Sequence, residues 1–346
     1  MPGLSKLVMR TSIAAAAAIA AGCGGAGNSG ASAVLSGLPS NGEAVAPKTS
    51  TIPFWQSSFS YGGKTYAFRM VGTDPITSGG ATTIGSEIVP VRLVFSDGTT
   101  LDGGSVAGGI ASSPLYANGS YAAGYTQYGD AVMRSEFWKY AARENYHVLL
   151  AAPVAEPAVT VNVPAADGYV KRKQNGTKIG YVTFEWFIKT VEPQIIAQLN
   201  IKPTSVAIFA TNDVSVLQPG NYCCYAGYHE AFPMSTPSGP AIFTTVWASV
   251  TTHGVETLSH EFAEWLNDPF YTNDVPKWVQ PNTNNACGGS QLEVGDPVTT
   301  QAFTVGGYVM QDEAFYSWFT RDMPSLGIDG RYDLLGKLTK PAVSCT

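Results

Sequence analysis

His260, Glu261 and Glu264 fall within five consecutive residues and offer one imidazole and two carboxylates to a common point. An imidazole and carboxylates offered together to a cleft are donor types used by metal sites and by acid–base chemistry. At about 100° per residue, a helix gathers Val255, Leu258, Phe262, Trp265 and Leu266 on one face. Glu256, His260, Glu264 and Asn267 fall on nearly the opposite face, with Glu256, His260 and Glu264 on consecutive turns. Glu261 flanks that stripe. The pattern predicts a helix from about Gly254 to Asn267, halted by Asp268-Pro269, with one side packed on a sheet. Read as plain structure, the same residues form a solvated helical face, with Glu256 a first-turn carboxylate favoured by the helix dipole.

His260-Glu261-Phe262-Ala263-Glu264 resembles the H-E-x-x-H helix of the zincin metallopeptidases, with Glu264 in place of the second His. Position by position, the resemblance implies His260 and Glu264 as metal ligands and Glu261 as general base. The third ligand would be Glu293 or Asp296, in the loop sequence Gly288-Gly289-Ser290-Gln291-Leu292-Glu293-Val294-Gly295-Asp296-Pro297. The wider pattern is similar to a group of secreted zincin-like proteins: Ser259-His260-Glu261-x-x-Glu264, Asp268-Pro269, then Glu293-x-x-Asp296. Thr126-Gln127-Tyr128-Gly129-Asp130-Ala131 and Asp312-Glu313-Ala314-Phe315 are also similar to that group. The family implies zinc. One His with carboxylates is a harder donor set, which leaves calcium, manganese or no ion as alternatives.

The implied fold is α+β and zincin-like: a mixed sheet with a backing helix and an active-site helix, behind a loop-rich, β-rich N-terminal half. Ser58–Tyr61 and Tyr66–Met70 flank Gly62-Gly63 as a hairpin, and Ile88–Phe95 runs into a Ser96-Asp97-Gly98 turn. Residues 102–130, rich in Gly and Tyr, read as a long loop before a helix capped by Asp130. Val182–Leu199 has helical spacing, whereas Val206–Ala210 and Ala241–Val250 read as strands. The stretch carrying Cys223, Cys224 and His229 reads as a loop, with His229 able to line the same cleft. His253 is a weaker replacement ligand, and His147 reads as structural.

Lys6 and Arg10 precede an Ala-rich run, Ile13–Ala21, followed by Gly22-Cys23, which is the layout of a secretory signal over residues 1–22. Ala20-Ala21-Gly22-Cys23 resembles a bacterial lipobox, implying a lipid anchor at Cys23 on an envelope lipoprotein; plain secretion is the alternative. Residues 23–50 read as a flexible tether and 51–346 as one domain. No later segment is long and apolar enough to be a transmembrane helix. A net charge of −6 without a basic stripe argues against a nucleic-acid partner. Four cysteines follow Cys23, and neighbours in sequence rarely pair, so Cys223 and Cys224 are each expected to bond Cys287 or Cys345. The function expected is an exported metal-dependent hydrolase acting on peptides or proteins. A non-catalytic envelope binding protein on the same scaffold, or a glycosidase pairing Glu261 with Glu293 or Asp296, are the other readings.

Overall fold

The strand Ala81–Val94 alternates its side chains between two cores: Ile84 and Ile88 enter one, while Val89, Val91 and Leu93 enter the other. The computed structural model describes residues 49–141, 145–250, 254–281, 287 and 289–345. The signal segment, Cys23, the tether up to residue 48 and His253 lie outside the described residues.

Burial on both faces is what parallel pairing demands of a strand. Ala81–Val94 pairs in parallel with Ser205–Asn212, which in turn pairs in parallel with Gly239–Val250. The last strand of this path, Gly227–Thr236, runs antiparallel to Gly239–Val250 and forms the edge. On the other side of Ala81–Val94, three short strands within residues 147–162 pair with it in succession. The same alternation recurs along Ser205–Asn212, where Val206, Ile208 and Ala210 face the first core and Ala207 and Phe209 the second. Helices cover both faces. The first core receives Tyr128–Glu136 and Glu256–Asn267 through Val132, Met133, Leu258, Phe262, Trp265 and Leu266. The second receives a helical stretch that begins at Phe184, takes a π turn over Phe187–Val191 and ends as Glu192–Leu199. The architecture is therefore α+β with a mixed, strand-rich set of sheets, and no described helix is long and apolar enough to cross a membrane.

Several local expectations hold. Phe54–Tyr61 and Lys64–Val71 form the hairpin, with Gly62 and Gly63 at φ of 57° and 78°, the positive values that a tight two-residue turn requires. The helix at Glu256–Asn267 and the strands at Ser205–Asn212 and Gly239–Val250 lie where the periodicity puts them. Others are corrected. The loop expected over 102–130 contains a helix, Gly104–Ala111, and a small hairpin, Gly119–Tyr121 with Gly124–Thr126. Val106 and Ile110 bury one face of that helix, but its three glycines conceal the pattern. Asp130 does not cap a helix. It lies inside Tyr128–Glu136 and accepts from Thr126 Oγ1, Val148 N and His147 Nδ1.

The disulfide expectation is also corrected. Cys223 pairs with its neighbour Cys224, and Cys287 pairs with Cys345. Topology explains it: Tyr222–Tyr225 is the last strand of a separate four-stranded sheet, whereas Cys287 lies opposite Val279 and Cys345 binds the carbonyls of that same region. The Cys287–Cys345 bond spans 58 residues, so chain entropy gives it up to about 4 kcal/mol, against almost nothing for neighbours. Cys345→Ser is expected to lower the urea midpoint far more than Cys223→Ser.

Glu192 lies fully buried beneath the sheet, accepting from Tyr228 OH at 2.6 Å and Thr245 Oγ1 at 2.9 Å. Burial pushes its carboxyl up to about 8 from 4.5, against the pull of those two hydroxyls. The folded state then holds a proton that the unfolded state releases, so stability falls as pH rises between those values. Glu192→Gln is expected to gain on the wild type over that window in chemical denaturation at stepped pH.

Candidate metal centre

The site helix Glu256–Asn267 is buried on nearly all sides, so its polar stripe does not face open solvent. His260 and Glu261 are each 6% exposed and Glu264 is 2% exposed. The reading of these residues as a solvated face is therefore set aside. Each buried carboxylate costs several kcal/mol unless a partner compensates it.

Glu264 holds the middle of the cluster. Its Oε1 lies 3.2 Å from His260 Nε2 and accepts from Gly295 N at 3.1 Å. Its Oε2 lies 3.7 Å from Nδ1 of His229. Glu261 spans the same two imidazoles, with Oε1 4.0 Å from His260 Nε2 and Oε2 3.7 Å from His229 Nδ1. Asp296 Oδ1 stands 3.9 Å from His260 Nε2. Glu293 joins on the other side, where ligand atoms of His229, Glu264 and Glu293 all lie within 4.8 Å of one another. The atoms of His260, Glu261 and Glu264 meet the same limit. Both loop carboxylates therefore reach the cluster, Asp296 beside His260 and Glu293 beside His229.

His229 was expected in a loop. It lies on the edge strand Gly227–Thr236, where Tyr228 and Phe232 face the second core and His229 and Ala231 face the site helix. The two-residue alternation of Tyr228–Phe232 is the signal that would have placed it. Tyr271 adds an edge-on ring 5.7 Å from His229. Asn267 turns away from the cluster, bonding Ala263 O, and Glu256 enters none of the cluster's ion pairs.

A second layer orients these groups. The Gln311 amide nitrogen lies 2.7 Å from His260 Nδ1 and donates to Gly295 O at 2.9 Å, while Gln311 N donates to Ser259 Oγ. That arrangement leaves the His260 proton on Nε2, facing Glu264. A cation held at Nε2 would need the ring proton on Nδ1 instead. Tyr128 OH lies 2.7 Å from Glu313 Oε1 and 2.9 Å from Gln311 O, with its one proton shared between the two acceptors. The segments Thr126–Ala131 and Asp312–Phe315, distant in sequence, therefore meet behind the site.

The electrostatics follow from burial. Burial alone would lower His260, but the carboxylates of Glu261, Glu313 and Asp296 hold it above its ordinary value. His229 is raised likewise, against its burial, by Glu261, Glu293 and Asp268. Burial, then neighbouring carboxylates, lift Glu264 and Glu293 well above the usual range. Asp296 rises to about 6, chiefly by burial, with His260 opposing. Donors around a tetrahedral ion with bonds of about 2.1 Å stand roughly 3.4 Å apart, close to the 3.2–4.0 Å spacings here. Two imidazoles with carboxylates are a donor set that suits zinc or manganese better than calcium. The residues present thus fit a divalent transition ion.

Two glycines let the walls close. A Cβ on Gly295 would meet His260 Nδ1 at 2.3 Å, and one on Gly227 would meet Glu261 Cγ at 2.5 Å. No family model, curated protein or solved structure matches this chain. Gly295→Ala is expected to displace His260, lower stability by about 1–3 kcal/mol and weaken metal binding, read by thermal melting and zinc titration.

Proposed function

We propose that this chain is an exported, metal-dependent hydrolase of the zincin-like kind, acting on peptide bonds. The observation that carries the reading is the buried cluster in which every ion pair joins an imidazole to a carboxylate, centred on Glu264. His260 and Glu264 would hold the ion, with Asp296 and Glu293 at its margins and His229 as the second nitrogen donor. A bound zinc supplies Lewis acidity for a scissile carbonyl and for water. Glu261 lies between the two imidazoles, placed to take a proton from water and pass it to the leaving amine. Gln311 fixes the His260 ring, its amide nitrogen 2.7 Å from Nδ1.

A peptide is the favoured substrate class because His229 sits on the terminal strand of the sheet. The strand is buried over Gly227–Phe232 and more exposed from Pro233, so an extended chain would gain main-chain hydrogen bonds along that outer end. Export is supported by the basic and apolar run before Cys23 and by two cysteine pairs. The depth of burial favours a second reading, an ion held for structure in an envelope binding protein.

Elemental analysis and a peptide-library assay separate the two. Glu261→Gln should lose turnover by about a hundredfold or more while keeping its metal. Glu264→Ala should lose the metal itself. Metal present in wild type without any peptide hydrolysis, together with unfolding on chelation, would support the structural ion instead.

A further inference from the structure

We propose that the cluster holds two divalent transition cations, bridged by the Glu264 carboxylate, a proposal that rests on reading it as a metal centre. The two oxygens of Glu264 face different imidazoles: Oε1 stands 3.2 Å from His260 Nε2 and Oε2 3.7 Å from His229 Nδ1. A carboxylate so placed binds one ion through each oxygen. The remaining donors divide in the same way. Asp296 stands 3.9 Å from His260, beside the His260–Glu261–Glu264 group, and is assigned to one ion, while Glu293 groups with His229 and Glu264 and is assigned to the other. Each ion then takes one imidazole, one oxygen of Glu264 and one loop carboxylate. Glu261 points an oxygen at each imidazole, 4.0 Å from His260 and 3.7 Å from His229, so it overlooks both ions and stays free as a base.

The placement of His229 points the same way: it is 3% exposed, with Nδ1 3.7 Å from both Glu261 and Glu264, so a second buried imidazole faces the cluster from a different element. Ions in paired hydrolytic sites lie about 3.5–4 Å apart, a separation a single carboxylate spans.

The purified protein, stripped with chelator and reloaded with zinc, is expected to hold two ions per chain by elemental analysis. His229→Ala is expected to hold one, and Glu264→Ala, which removes the bridge, none. Because a core variant can fail to fold, wild-type protein loaded with manganese provides a second readout. Its electron paramagnetic resonance spectrum should show spin-coupled Mn(II) pairs. One ion per chain, removed equally by His229→Ala and His260→Ala, with an isolated Mn(II) signal, overturns the paired site and leaves a single-ion hydrolase standing. No bound ion at saturating zinc or manganese overturns both.

Discussion

Burying carboxylates on a core helix is the constraint around which this structure is arranged. Glu256–Asn267 must sink Leu258, Phe262, Trp265 and Leu266 into the sheet, each fully buried apolar side chain contributing about 1.5–3 kcal/mol. That packing carries His260, Glu261 and Glu264 inward as well, because the segments following the helix close over its other side. Gly295 N and the Gln311 amide reach in from those segments and bond the helix's own polar groups. The fold gains a covered helix and must then neutralise what it has covered. Protons or cations are the available means, since the cluster's ion pairs contain only imidazoles and carboxylates.

The position of each polar group follows from strand and helix geometry. His229 reaches the helix because the edge strand turns odd-numbered residues to that side, while Tyr228 on the opposite face serves Glu192. The sheet therefore separates two sets of buried acids, one beneath it and one above. The set above holds both imidazoles and the candidate ligands. Below it, Glu192 accepts from two hydroxyls instead.

What the chain discloses before folding is uneven. The site helix was legible because a strong apolar stripe, a polar stripe and a proline stop coincide within residues 254–269. The paired apolar runs gave the central strands for the same reason. His229 was hidden because Gly, Pro and Cys around it mimic a loop, although Gly227–Thr236 is a ten-residue strand. Glu293 and Asp296 could not be ranked, because a loop has no repeating face from which to read direction. Both reach the cluster, on different sides of Glu264. The cysteine pairing differs because Tyr222–Tyr225 lies in a sheet of its own, while Cys287 and Cys345 meet beside Lys277–Val279.

The parallel centre of the sheet sets the order in which the chain can organise. Ser205 pairs opposite Gly85 and Val206 opposite Thr244, so the middle of the sheet closes only after long intervening loops have been drawn in. The hairpin at Gly62-Gly63 is local and can form at once, whereas these pairings carry a large loop-closure entropy and are intrinsically slow. His229, His260 and Glu293 come from three segments that meet only when this slow step is complete. Any affinity of this cluster for cations would thus belong to the finished molecule. A nascent chain displays the same histidines and acids, but only the transition that aligns the strands brings them within reach of one another.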